Sequence, residues 1–269
     1  MVSFSNQKAA RLSKPPPPQI KIGEAFRVTL GRLLSKVGIA SRTKAHEWIR
    51  AGRIAVGGRI VRNPSLWVAW PRDRVTLDGV ALEAATRRLI LYHKPKGLIT
   101  THHDEQGRQT IFDVLPPDLR TLHAVGRLDQ ASSGLLLLTN DTALSAFLAD
   151  PTNAIPRIYL VTVRGHVSNE TVQRAIDGIV DDQEHLSCKR IEVQKRSKRE
   201  SHLKVTLIEG KNREIRRLCR ALGHEVTRLR RICFGPFELG TLAPGEWIEA
   251  SHARGIQMVI KKASVRQLG

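Results

Sequence analysis

Residues 126–141 read GRLDQASSGLLLLTND. Four successive leucines, Leu135 to Leu138, follow Ser132-Ser133-Gly134 and precede Thr139-Asn140-Asp141, which gives the run the length and flanks of a buried strand. Gly126 permits an unusual backbone angle or a close approach, Arg127 is long and cationic, Leu128 faces inward, and Asp129 falls in the turn that feeds the strand. A short acid is thereby fixed beside a rigid apolar segment. Local rules alone give its carboxylate a bland task, accepting backbone N–H groups in an Asx-turn.

Working outward, Leu89-Ile-Leu-Tyr-His93 reads as a second strand with a sharp exit at Lys94-Pro-Lys-Gly97. A polar loop follows, and its His102 and His103 read as solvated residues. Downstream, Arg157-Ile-Tyr159-Leu-Val161 has a strand pattern holding one of only two tyrosines in the chain. Arg213, Arg216, Arg217 and Arg220 recur at helical spacing, so they share a face that could present a stripe to phosphates.

Toward the N-terminus, Leu30, Leu33, Leu34 and Val37 fall at i, i+3, i+4, i+7 and predict a short helix that stops at Gly38. Ser41 caps a second helix, Ala45, Trp48 and Ile49 face inward, and Gly52 ends it. Arg53 to Val56, Gly57-Gly58 and Arg59 to Arg62 then form a hairpin whose two-residue turn needs positive φ. Residues 28–86 hold ten Lys or Arg against four acids, much of that charge lying on the second helix and the hairpin. Residues 1–27, with the run Pro15 to Pro18, read as a flexible basic tail, and 263–269 as a second tail.

Composition sets the class. The 269 residues suit two units, and 41% hydrophobic with only 4% aromatic content implies cores built from Leu, Ile, Val and Ala. Lys and Arg number 44 against 25 Asp and Glu, a net charge of +19, which suits a polyanionic partner, nucleic acid before membrane. No stretch approaches the roughly 18 apolar residues of a spanning helix, and residues 1–18 lack the apolar core of a signal peptide, so the expected location is the cytoplasm. Cys188, Cys219 and Cys233 are too far apart for a metal knuckle and read as reduced fillers. No metal-ligand cluster appears, and neither a G-x-S-x-G elbow nor a P-loop is present.

Two resemblances organise these features. Residues 30–61, LGRLLSKVGIASRTKAHEWIRAGRIAVGGRIV, with the later DRVTLDG at 73–79, resemble an S4 RNA-binding domain. That resemblance implies contact with structured RNA through Arg42, Lys44, Arg50 and Arg53, phosphate contacts that orient RNA without reading it.

GRLDQASSGLLLLTND resembles the signature of the ribosomal RNA pseudouridine synthases of the RsuA type. Residues 157–161 occupy the place of that family's Lys-x-Tyr-x-Val element, and 209–247, EGKNREIRRLCRALGHEVTRLRRICFGPFELGTLAPGEW, match its third element. Arg stands for Lys at 157, and Asp150-Pro151 stands where His-Pro is usual.

The resemblance implies an α+β protein: a small S4 domain at 28–86, then a catalytic domain at 87–262 with a mixed, largely antiparallel sheet and flanking helices. It implies isomerisation of a uridine in ribosomal RNA, with 23S large-subunit RNA favoured over 16S. No cofactor is implied, and the partner is ribosomal RNA or a partly assembled ribosomal particle met by a monomer. Asp129 becomes the catalytic acid residue, Tyr159 stacks on the base, and Arg216 pairs with Asp129. Ile215, Arg127 and Leu128 pack against the substrate base, and Arg213 and Arg217 contact RNA. The competing class is a non-catalytic RNA-binding assembly factor, in which Asp129, Tyr159 and Arg216 would be free to vary.

Overall fold

The computed structural model describes residues 26–83 and 86–250. The expected tails therefore lie outside the described residues, as does the end of the expected catalytic domain, with one exception. Phe26 and Arg27, assigned to the tail from sequence, begin a strand, because their backbone pairs with Trp70 and Ala69.

The chain divides into two compact units. One takes the described residues up to Leu33 together with His46–Leu82, the other Leu34–Ala45 together with the described residues from Glu83. In chain order the first elements are β1 (Phe26–Thr29), α1 (Leu30–Lys36), α2 (Arg42–Arg50), β2 (Ile54–Val56), β3 (Arg59–Ile60), β4 (Trp67–Trp70), β5 (Val75–Leu77) and β6 (Val80–Ala81). Leu30, Leu33, Leu34 and Val37 are all buried, as their spacing predicts. Ser41 Oγ accepts the Lys44 N–H at 3.2 Å and so caps α2. Gly57 and Gly58, at φ 56° and 82°, make the two-residue turn joining β2 to β3.

In the second unit follow β7 (Leu89–Lys94), α3 (Ile111–Val114), β8 (His123–Ala124), β9 (Ser133–Thr139), α4 (Thr142–Ala149), β10 (Arg157–Arg164), α5 (Asn169–Asp177), β11 (Ile179–Asp181), β12 (Glu184–Leu186), β13 (Arg190–Arg196), β14 (Glu200–Leu207), α6 (Glu214–Ala221), β15 (Val226–Phe234), β16 (Phe237–Glu238) and β17 (Trp247–Ala250). Nine of these strands form one sheet in the order β13-β14-β10-β15-β9-β7-β17, with β16 beside β15 and β8 beside β9. All its strand pairs are antiparallel except β15 with β9, so the fold is α+β with a mixed, mostly antiparallel sheet.

The four leucines of β9 are explained by this sheet. Leu136 and Leu138 enter one core with Ile90, Tyr92, Tyr159, Val161, Ile215 and Leu218, while Leu135 and Leu137 enter another with Leu89, Leu91, Leu144 and Leu148. A strand with an apolar core on each face reads as an unbroken hydrophobic run. Gly134 opens that strand at φ 107°, and its backbone lies so close to Arg231 that a Cβ would fall 2.2 Å from the Arg231 carbonyl oxygen. The parallel pairing of Gly134 with Arg231 across β9 and β15 therefore requires glycine.

Candidate active site

The turn before β9 is held from below by a lysine. Lys94, at the end of β7, is fully buried, and its Nζ donates to the carbonyls of Pro95 (3.0 Å), Asp129 (3.2 Å) and Ser132 (2.9 Å). Burial lowers its pKa to about 8, against the pull of the Asp129 carboxylate. The Ser132 N–H closes the turn onto the Asp129 carbonyl at 3.0 Å. With its main chain tied in this way, Asp129 turns its carboxylate outward.

That carboxylate meets two arginines. Arg213 Nη1 lies 3.4 Å from Asp129 Oδ2, and Arg216 Nε lies 3.9 Å from the same oxygen. The Asx-turn role is not seen, since no backbone N–H donates to the Asp129 side chain among the described residues. Arg216 is anchored by its other nitrogens, donating to the carbonyls of Val226 and Ala131 at 3.1 Å each. Its buried Nε has no hydrogen-bond partner. Arg213 stands in the left-handed region at φ 48°, immediately before α6, a costly backbone for a residue with a Cβ and of the kind that clusters at functional sites.

Asp129, Gly126, Arg127 and Leu128 line one wall of an open cleft of about 470 Å³. Residues 209–215 form another wall, and Arg157, Tyr159, Leu229, Arg231 and Phe234 also line it. Tyr159, Ile215 and Leu128 are buried members of the first core. Arg157 and Arg231 place their guanidinium carbons 4.8 and 5.0 Å from the Phe234 ring centre. Arg157 donates to the carbonyls of Leu148 and Glu209, so the larger fork at this position is satisfied internally.

Sequence reasoning missed several charged groups here. Arg231 is buried, donates Nε to the Leu135 carbonyl at 2.7 Å and leaves Nη2 without a partner. Glu214 is 3% exposed, accepts the Lys211 N–H on Oε2 and leaves Oε1 without a partner. Burial, and then the neighbouring Glu209 carboxylate, raise the Glu214 pKa to about 7. Glu214 and Arg231, which line the cleft, each carry an unpaired buried polar atom, and Arg216 beside Asp129 carries a third, each of which would otherwise be a cost. The available signal was the spacing itself: Lys94 directly follows an apolar strand, and Arg231 falls among inward-facing positions of β15.

The arginines of α6 do not form one open stripe. Arg217 is 14% exposed and engaged by Asp181 and Glu184 on the β11–β12 hairpin, and Arg220 Nη2 lies 3.7 Å from Asp181. The acids beside α6 neutralise that part of the face, so Arg217 is not open to phosphate. Arg127 is exposed at the cleft mouth. In the S4-like segment Arg42, Lys44 and Arg50 are exposed, while Arg53 is paired with Asp78 and its guanidinium carbon lies 5.3 Å from the Trp48 ring centre. His102, expected to be simply solvated, stacks on Phe112 with ring centres 3.6 Å apart. Among the described residues no His, Cys, Asp or Glu group is placed to hold a metal, and no helix is long and apolar enough to cross a membrane.

Comparison with known proteins gives the family. Residues 88–221 match the RNA pseudouridylate synthase family and residues 30–75 the S4 domain. An RNA pseudouridine synthase of Aquifex aeolicus, described as uncharacterized, is 34% identical over 234 residues, spanning 87% of this chain and 94% of that relative. The chain belongs to the RNA pseudouridine synthase family. The ribosomal large subunit pseudouridine synthase B of Pseudomonas aeruginosa is 36% identical over 244 residues, 87% of this chain but 61% of the relative. That of Bacillus subtilis is 31% identical over 220 residues, 81% of this chain and 89% of the relative. A pseudouridylate synthase crystal structure shares the fold, with TM-score 0.60 and 24% identity over 86% of this chain and 99% of that one. As an RNA pseudouridine synthase the protein is an enzyme, an isomerase that converts uridine to pseudouridine, with an S4 domain preceding the catalytic sheet.

Proposed function

We propose that this synthase isomerises one uridine of ribosomal RNA, with 23S large-subunit RNA as its substrate, acting as a cytoplasmic monomer. We further assign residues 28–86 to RNA docking and 87–262 to catalysis. The observation that carries the reading is the Asp129 carboxylate facing Arg213 and Arg216 at the mouth of a cleft floored by Tyr159, in a chain alike to large-subunit synthases over most of its length.

The reaction breaks the N1–C1′ bond, rotates the uracil and joins C5 to C1′. The C5 proton leaves and N1 gains one, so the change is neutral in redox and in water. Asp129 is the catalytic residue, a carboxylate that engages the ribose or the base while the bond is open. Arg216 holds its charge and orientation in a site that loses water when the nucleotide enters. To be reached, the uridine leaves its stack at a cost of a few kcal/mol. Stacking on Tyr159, with Ile215 and Leu128 packed around the base and Arg127 over it, offsets that cost. Arg213, and Arg42, Lys44, Arg50 and Arg53 of the S4 segment, contact phosphates.

The test is tritium release from C5-labelled 23S and 16S RNA, offered separately to the purified protein. Release from 23S RNA is the expected result. Release from 16S RNA alone moves the target to the small ribosomal particle. Tight binding with no release from either RNA, or from partly assembled particles, overturns catalysis in favour of an assembly factor.

A further inference from the structure

The sheet carries a second basic surface on the side away from the cleft. On β14, Ser201, Leu203, Val205 and Leu207 are buried, so His202, Lys204 and Thr206 point to the opposite face. Strand pairing sets their neighbours. One row runs Arg228, Thr162, His202, Lys195 across β15, β10, β14 and β13, and the next runs Arg230, Leu160, Lys204, Glu192. Tyr159, Val161 and Val163, which alternate with Leu160 and Thr162 on β10, point to the core beneath α5 and α6. The cationic rows therefore lie on the other side of the sheet from Tyr159.

The charge here is not locally neutralised. Glu192 is shared by Arg190 at 2.9 Å and Lys204 at 3.9 Å, and Glu200 takes His202. Lys195, Arg228 and Arg230 are exposed and have no carboxylate partner among the described residues. The chain's own ends do not complement this face. Residues 1–25 carry Lys8, Arg11, Lys14 and Lys21 against Glu24, and 251–269 carry Arg254, Lys261, Lys262 and Arg266 with no acid. A second copy would bring the same cations.

We propose that the outward face of β13, β14, β10 and β15 is a second RNA-docking surface that binds the phosphate backbone of a segment remote from the target uridine, through Lys195, Arg228 and Arg230. The proposal rests on the ribosomal RNA reading above. Three strand spacings of about 4.8 Å separate Arg228 from Lys195, a width of roughly 14 Å, which suits a helical backbone more than a single anion. Phosphate contacts of this kind position RNA and weaken with salt by counterion release. A surface opposite the cleft adds affinity only for RNA long enough to wrap the domain.

The experiment compares wild type, the triple variant Lys195→Gln/Arg228→Gln/Arg230→Gln, and the charge-keeping triple Lys195→Arg/Arg228→Lys/Arg230→Lys. Each is measured for salt-dependent binding to a full-length 23S transcript, and for tritium release from that transcript and from a short stem-loop around the modified uridine. The glutamine variant should raise KM on the transcript about tenfold with kcat unchanged and leave the stem-loop unaffected. Its slope of log affinity against log salt should flatten by roughly 0.9 for each phosphate that is no longer neutralised. The charge-keeping variant should match wild type. Unchanged transcript binding, or equal losses on both RNAs, overturns the proposal. If wild type releases no tritium from the 23S transcript, the 23S reading fails by itself, and the salt slopes still decide whether this face binds RNA.

Discussion

Arg216 Nε stands 3.9 Å from Asp129 Oδ2, too long for a hydrogen bond, and has no other partner although it is buried. Its remaining nitrogens are fixed on the main chain at Ala131 and Val226. The guanidinium is therefore held in place independently of the carboxylate it faces. Burial, and then the nearby Arg213 charge, lower the Arg216 pKa, yet an arginine remains a cation at any working pH.

Asp129→Asn keeps the shape of the turn and removes the charge. Turnover measured by tritium release should fall by roughly a thousandfold or more, while RNA affinity by filter binding stays within about threefold. Normal residual activity removes Asp129 from the catalytic role.

The two arginines should separate kinetically. Arg216 is 14% exposed and Arg213 51%, so the solvent-screened Arg213 contributes less to the carboxylate. Arg216→Ala should lower kcat by about a hundredfold, the scale of a missing charge-stabilising donor. Arg213→Ala should act mainly on KM, by roughly tenfold. Equal kcat losses would show that the longer pair is not the privileged one.

Glu214 gives a pH-dependent signal. Its folded-state pKa is raised from 4.5 to about 7, so the folded state binds a proton that the unfolded chain has released. The group's stabilising contribution is fully present below about pH 4.5 and is lost as pH rises through 7. Glu214→Gln, which imitates the protonated form, should leave stability near pH 4 unchanged and raise it at pH 8 by about 1–3 kcal/mol. Urea unfolding at the two pH values checks this; a variant no more stable than wild type at pH 8 refutes the buried neutral carboxyl.

Gly134→Ala should be severely destabilising. Its Cβ would sit 2.2 Å from the Arg231 carbonyl oxygen at a φ of 107°, so both the close approach and the backbone angle oppose it. A loss of at least about 3 kcal/mol is expected from thermal melting. A melt within a degree of wild type would mean that β9 and β15 can separate freely.

Much of this molecule is legible in its sequence because the relevant physics is local. Helix spacing at Leu30, Leu33, Leu34 and Val37, the Ser41 cap and the Gly57-Gly58 turn each need only neighbouring residues, and each appears where the sequence puts it. The leucine run was legible as a buried strand, but not as one dividing two cores, since that depends on what covers each face. Arg213, Arg216 and Arg217 look alike on a helical wheel. Tertiary structure sends Arg216 toward Asp129 and Arg217 to Asp181 and Glu184, because the deciding acids lie more than 30 residues away in the chain. Lys94 and Arg231 likewise acquire their places only once β7, β9 and β15 lie side by side.

The sequence by itself determined the two-unit order, the basic character and the identity of the acid at 129, all properties of residue type and near spacing. Which cations face that acid, which are spent on other carboxylates and which lie open on the far side of the sheet were decided by tertiary structure alone, because charge interactions depend on distance and burial, and the fold sets both.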